Sequence, residues 1–264
     1  LETLTPQGFL AFRDGLGSAS GFESFQMREF EILLGLENEE RVGGMDPLSN
    51  FRDMAERDER GAATLARLED AMSKPSLCES VMSWVERTPI MGSAHGSDGD
   101  DVTVLAYVEA HLDSHRALGE AAAERGSGWG AGDHAKMTTR MAAAHQGAVD
   151  FLMPGGEVSR ARAGLLFIES YRELPLLTWP RKLIDAIVEL EESMVKWRHA
   201  HARMVERIMG RRIGTGGTSG VDYLDMTSQY RIFKDLWGVR TILVKPQERP
   251  ALRNAEFYGY TAES

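Results

Sequence analysis

The sequence predicts an all-α protein. Three observations predict it. Apolar residues recur three and four positions apart through long stretches. These stretches stop at clusters of glycine, proline and serine. Runs of β-branched residues are scarce, with one short exception near the C-terminus. No internal repeat is visible. The chain has 264 residues, of which 42% are hydrophobic, enough to bury a core as one large domain or two small ones.

The elements follow in order. Thr5 or Pro6 opens a short helix containing Phe9, Leu10, Phe12 and Arg13; proline is favourable there because its missing N–H would be unpaired in a first turn anyway. Gly15, Gly17 and Gly21, with Ser18 and Ser20, form a loop. A helix is expected over about 23–36, and another over 47–72 from the spacing of Phe51, Met54, Ala62, Leu65 and Leu68. Ser76 is placed to cap a third, containing Val81, Met82 and Trp84. Residues 88–101 turn to Gly, Ser and Asp and read as a loop. The Ala-rich stretch 102–152 reads as two helices parted by 126–132 and closed by Pro154-Gly155-Gly156. Helix resumes near 157–174, where Pro175 and Pro180 are expected to break it. The longest periodic segment spans 181–211, then a glycine-rich loop, a short helix near 221–233, and a possible strand at 239–244.

The charge of −10 argues against nucleic acid as a partner, since such proteins need a basic footprint. No apolar stretch approaches the roughly 18 residues of a membrane span, and no signal peptide is visible. Cys78 is the single cysteine, so an intrachain disulfide and a thiolate metal cluster are both excluded. Cys78 itself reads as a small helical side chain, and the expected location is cytoplasmic.

Candidate chemistry lies in the last third. On a helix over 181–211, Ile187, Met194, Trp197, His201, Met204, Val205 and Ile208 fall on one stripe. His201 sits in its middle, and His199 points the other way beside Lys196, Ala202 and Arg203. An imidazole on an apolar face is either a core histidine with one hydrogen bond or a ligand; a neutral one suits the axial position of haem iron. His111 and His115, spaced i,i+4 around Asp113, lack the glutamate of a zincin pattern and read as solvated helix surface. His95, His134 and His145 show no obvious partners.

Gly214-Thr215-Gly216-Gly217-Thr218-Ser219-Gly220 follows that helix. It has no lysine of a P-loop and not the spacing of a dinucleotide fold. It offers free N–H groups and three hydroxyls, suited to a carboxylate, a propionate or an ammonium. One glycine would suffice for a helix cap. Arg13 stands before a second Gly/Ser loop, where its guanidinium could grip a carboxylate bidentately or pair with Asp14.

Taken together, LETLTPQGFLAFRDGLGSASGFESFQMREFEILLG at 1–35, WRHAHARMVERIMGRRIGTGGTSGVDYL at 197–224 and RIFKDLWGVRT at 231–241 resemble the tryptophan 2,3-dioxygenase family. The resemblance is weak over about 75–170, and 90–165 reads as a divergent insert in a single domain spanning 1–264. It implies a helical bundle of the tryptophan 2,3-dioxygenase type with a haem pocket. It further implies haem b held through one histidine, O2 as co-substrate, and a homo-oligomer, usually a tetramer. The family reaction inserts both oxygen atoms across the indole C2–C3 bond of L-tryptophan to give N-formylkynurenine.

Carried over by position, the resemblance makes His201 the iron ligand, with Trp197, Gly216 and Ser20 beside the haem. Arg13 would bind the substrate carboxylate and Thr215 would lie near its ammonium, with Phe9 and Ser20 lining the site. Phe9 stands where the family often has a tyrosine, and Glu23 where glutamine is usual. The family's N-terminal segment, with a distal histidine, is read as missing before Leu1; no histidine here maps to it, so no catalytic residue is assigned on the distal side. Two other outcomes fit the same residues. One is a haem-dependent monooxygenase of a tryptophan analogue or another aromatic amino acid, forming an oxindole or a hydroxylated product. The other is a haem-binding protein without turnover.

Overall fold

A computed structural model describes residues 5–8, 11, 24–36, 46, 48–125, 131–211 and 220–259. Among them run α1 (Phe25–Leu34), α2 (Ser49–Ala55), α3 (Glu59–Met72), α4 (Leu77–Glu86), α5 (Asp100–Arg125), α6 (Ala131–Leu152), α7 (Arg160–Ser170), α8 (Thr178–Met209), α9 (Gly220–Thr227) and α10 (Lys234–Gly238). No strand occurs among the described residues, and the fold class is all-α as expected. The chain groups into two compact units, residues 1–80 with 189–232, and residues 81–188 with 233–264.

In the first unit, residues 6–8 and 11 are helical, and Thr5 Oγ1 accepts the Gly8 N–H at 3.1 Å. Ser24 caps α1 by accepting the Met27 N–H at 3.4 Å. Gly35 ends α1 at φ 115°, and a Cβ there would lie 2.8 Å from Cys78 Cβ. The single run expected over 47–72 is in fact two helices. Asp58 Oδ1 caps α3 through the Gly61 N–H at 2.7 Å. A Cβ on Gly61 would stand 2.2 Å from the Met54 carbonyl oxygen, so only glycine lets α3 start this close to the end of α2. A break of three residues nearly preserves the helical phase, which is why the apolar spacing passes through it unnoticed. Ile32, Leu48, Phe51, Leu68 and Ala71 form the core between these helices, with Phe25 and Leu65 against it. Ser76 caps α4 in a reciprocal box. Its Oγ accepts the Glu79 N–H at 3.2 Å, and Glu79 Oε2 accepts the Ser76 N–H at 2.9 Å.

In the second unit, α5 and α6 pack along one another. α7 is buried from Ala163 to Glu169, as a helix apolar on every side must be. A Cβ on Gly164 would lie 2.6 Å from the Val85 carbonyl oxygen, which marks how closely α7 approaches α4. Phe167 is the hub of an aromatic core. Its ring centroid lies 5.5 Å from Tyr107, 4.7 Å from Tyr171 and 5.2 Å from Tyr258.

Three further expectations are corrected here. Pro180 does not break the chain; it lies in the first turn of α8, where it removes no helical hydrogen bond. The possible strand at 239–244 is a 3-10 turn over Val239–Thr241, because a lone β-branched run finds no partner strand. Val239 and Ile242 are instead buried. His111 is not solvated surface but fully buried, its Nε2 2.9 Å from the Ile242 carbonyl oxygen. Its neighbour His115 is half-buried and stacks on His145 at 5.9 Å.

Candidate functional site

α8 carries the histidine singled out by periodicity. Its residues through Val188 group with the second unit and those from Glu189 with the first. Ile187, Met194 and Ile208 are buried, as the apolar stripe requires. Met204, Val205 and His201 are half-buried, and His199 is exposed. Trp197, however, is 50% exposed, and the deepest line of the helix runs instead through Glu191, Met194, Arg198 and Ala202. A hydropathy stripe cannot see a charged residue that turns inward to meet its partner. The buried side of α8 is therefore rotated from the predicted one by about one residue, and His201 lies at its margin rather than its middle.

That margin suits a ligand. Partial burial holds the His201 pKa below the ordinary histidine value, which favours the neutral imidazole. The Trp197 ring lies one turn earlier and stacks on it, with centroids 5.2 Å apart and planes 17° from parallel. Among the described residues nothing hydrogen-bonds the His201 ring, so its nitrogens are not committed to a structural role. The described residues contain no group of three or more His, Cys, Asp or Glu placed to hold a bare metal ion. Haem iron needs only one such protein ligand.

Behind the histidine lies a buried charge cluster that hydropathy reading misses. Arg198 Nη2 donates to Glu31 Oε1 at 2.6 Å, and its Nη1 donates to the Thr227 carbonyl at 3.0 Å. Arg28 Nη1 meets the other Glu31 oxygen at 3.0 Å. Glu191, also on α8, accepts the Ile232 N–H. The one clue in the sequence is a run of charges on helix faces that otherwise bury apolar residues.

Past α8, Arg211 Nη1 donates to Asp222 Oδ1 at 2.9 Å, and its Nε donates to Glu206 Oε1 at 3.1 Å. These pairs bring the start of α9 back beside the end of α8. Thr215 and Gly216, which fall between them, lie outside the described residues, as do Phe9, Arg13, Ser20 and Glu23. Of the sequence-predicted site residues, the structure thus places Trp197 and His201, and it brings these two together.

A sequence profile described as tryptophan 2,3-dioxygenase matches residues 1–243. The chain belongs to the tryptophan 2,3-dioxygenase family. It is 42% identical to a tryptophan 2,3-dioxygenase-like protein of Xanthomonas campestris pv. campestris (strain 8004), over 98% of this chain and 99% of that one. It is 39% identical to tryptophan 2,3-dioxygenase 2 of Ralstonia nicotianae, over 100% of this chain and 74% of the relative. It is likewise 39% identical to tryptophan 2,3-dioxygenase of Sorangium cellulosum, over 100% of this chain and 66% of the relative. Members of the tryptophan 2,3-dioxygenase family are haem-dependent oxygenases with O2 as co-substrate, and so is this chain. No helix among the described residues is long and apolar enough to cross a membrane.

Proposed function

We propose that this chain cleaves the indole C2–C3 bond of L-tryptophan or a close analogue, adding both atoms of O2 to give an N-formylkynurenine-type product. The observation that carries this reading is His201. It is half-buried, held toward its neutral form, stacked on Trp197 and unclaimed by any described hydrogen-bond partner, in a chain of the tryptophan 2,3-dioxygenase family. A neutral imidazole with an available nitrogen suits a protein ligand to haem iron, and His201, with the flat, half-exposed Trp197 ring beside it, would hold the group.

When bound, haem iron supplies the activation of O2. The protein supplies position. In this reading Arg13 pairs with the substrate carboxylate through its guanidinium fork. Thr215 and the loop around it would take the ammonium, and Gly216 and Ser20 would help to hold the haem. Phe9 and Ser20 line the site. Phe9 brings no hydroxyl, so carboxylate recognition falls more heavily on Arg13. Holding both ends of the amino acid fixes the indole edge, an effect worth several kcal/mol of the barrier. The chain then acts as one oxygenase domain over 1–264, with 90–165 as its divergent part. It works in the cytoplasm as a homo-oligomer.

The test is haem reconstitution followed by turnover under isotopically labelled O2. Two labelled atoms in the product support dioxygenation. One atom selects the monooxygenase reading instead. His201→Ala is expected to abolish the Soret band. If the band and the iron coordination are unchanged in that variant, the assignment fails.

A further inference from the structure

One buried charged side chain on α8 has no part in the reading above. Arg198 is 4% exposed, next to Trp197 and three residues before His201. Its guanidinium spans three helices. It belongs to α8, reaches Glu31 on α1 at 2.6 Å, and donates to the last residue of α9, Thr227, at 3.0 Å. Arg28 Nη1 lies 3.0 Å from the second oxygen of Glu31, so the carboxylate is flanked by two cations.

Each of these helices continues a segment of the proposed site. α8 carries His201. α1 starts at Phe25, five residues after Ser20, and α9 starts at Gly220, five residues after Thr215. Apolar packing alone is non-directional and tolerates small slides and rotations of a helix. A buried guanidinium fork tolerates neither, because it must keep the Glu31 carboxylate and the Thr227 carbonyl within hydrogen-bond reach at once. Turning α8 by one residue, about 100°, would take Arg198 away from both acceptors and re-aim His201. An ion pair in this place costs desolvation that a leucine or methionine would not, so its gain is in direction rather than in stability.

We propose that Arg198, through Glu31 and Thr227, is the positioning residue that sets the His201 helix in register with the two segments that bind the substrate. This rests on the roles of His201, Arg13 and Thr215 given above.

The test uses the haem-loaded full chain with Arg198→Lys and Glu31→Gln. Lysine keeps the charge but is a point donor that cannot bridge a carboxylate and a carbonyl as the fork does. Glutamine keeps the shape of Glu31 and loses its charge. Helix content by circular dichroism, the iron–histidine stretching band of the ferrous protein, and KM and kcat for tryptophan are measured well below the melting temperature. Expected are unchanged helix content, a shifted or split iron–histidine band, and a KM raised about tenfold with a smaller change in kcat. Methylguanidinium added to Arg198→Ala should restore part of the wild-type band. If the variants only melt earlier, with a wild-type band and KM in the cold, the proposal is overturned and Arg198 is structural. Should Arg198→Lys not fold, Glu31→Gln carries the same readouts. If His201→Ala itself leaves the band in place, the underlying site reading has failed, and this is seen without reference to Arg198.

Discussion

Replacing Arg160 by methionine should destabilise the second unit by about 3 kcal/mol, at the low end of the range for breaking a buried ion pair. The figure follows from what the side chain holds. Its Nε donates to Asp100 Oδ2 at 2.7 Å and its Nη2 to Asp100 Oδ1 at 3.1 Å. Its Nη1 donates to the carbonyls of Glu86 at 2.6 Å and Thr88 at 3.1 Å. Only 3% of the Asp100 side chain is exposed, so the carboxylate left behind has almost no access to water. It would keep the Ser93 hydroxyl at 2.9 Å and the Gly96 N–H at 3.4 Å, which is why the low end applies. For a chain of this size 3 kcal/mol is a drop of roughly 6–12 °C in melting temperature. Thermal and urea unfolding measure it. Adding Asp100→Asn removes the stranded charge and should return about 1–2 kcal/mol.

Acid titration gives the same pair a second signature. Burial pushes the Asp100 carboxyl up, but hydrogen bonds from Arg160 and Ser93 outweigh it, and its pKa lies below the usual carboxylate value. The folded protein therefore gains from this pair above about pH 4, and loses the gain as pH falls further. Arg160→Met should remove that acid-side loss. A variant within about 0.5 kcal/mol of wild type, or a double variant whose cost is the sum of the two singles, would refute the argument.

Two other outcomes are expected. Burial lowers the pKa of His111 and His115, with His145 adding to the effect at His115. The unfolded chain then binds more protons just below the ordinary histidine pKa, so stability is complete above about pH 7 and falls as pH drops below about 6.5, by at most about 1.4 kcal/mol per pH unit for each histidine. Urea unfolding between pH 7.5 and 5.5 should show this fall, and His111→Gln should flatten it. Gly61→Ala should cost roughly 2–3 kcal/mol by the same assay, because the clash at 2.2 Å is with backbone and cannot be relieved by a rotamer change.

Much of the fold is legible in the chain because its signals are local. Ser24, Asp58, Ser76 and Ser159 each cap a helix through the N–H three positions on, apart from any distant contact. Helix periodicity also chose His201 over His199, and the structure leaves the first half-buried and the second exposed. Two of the misreadings share one cause: the environment of the segment is set by residues far away in sequence. His111 is buried by the carbonyl of Ile242, and the run at Val239 became a helical turn for want of a partner strand.

The sequence by itself determined the all-α class, most of the helices, the choice of His201 over His199 and, through its motifs, the tryptophan 2,3-dioxygenase family. Only the tertiary structure decided which side of α8 is deepest. Arg198 looks like a surface residue in any hydropathy profile, yet it is buried because Glu31, 167 positions away, meets it. Burial of a charge depends on the arrival of its partner, and that is a property of the folded chain rather than of any segment of it.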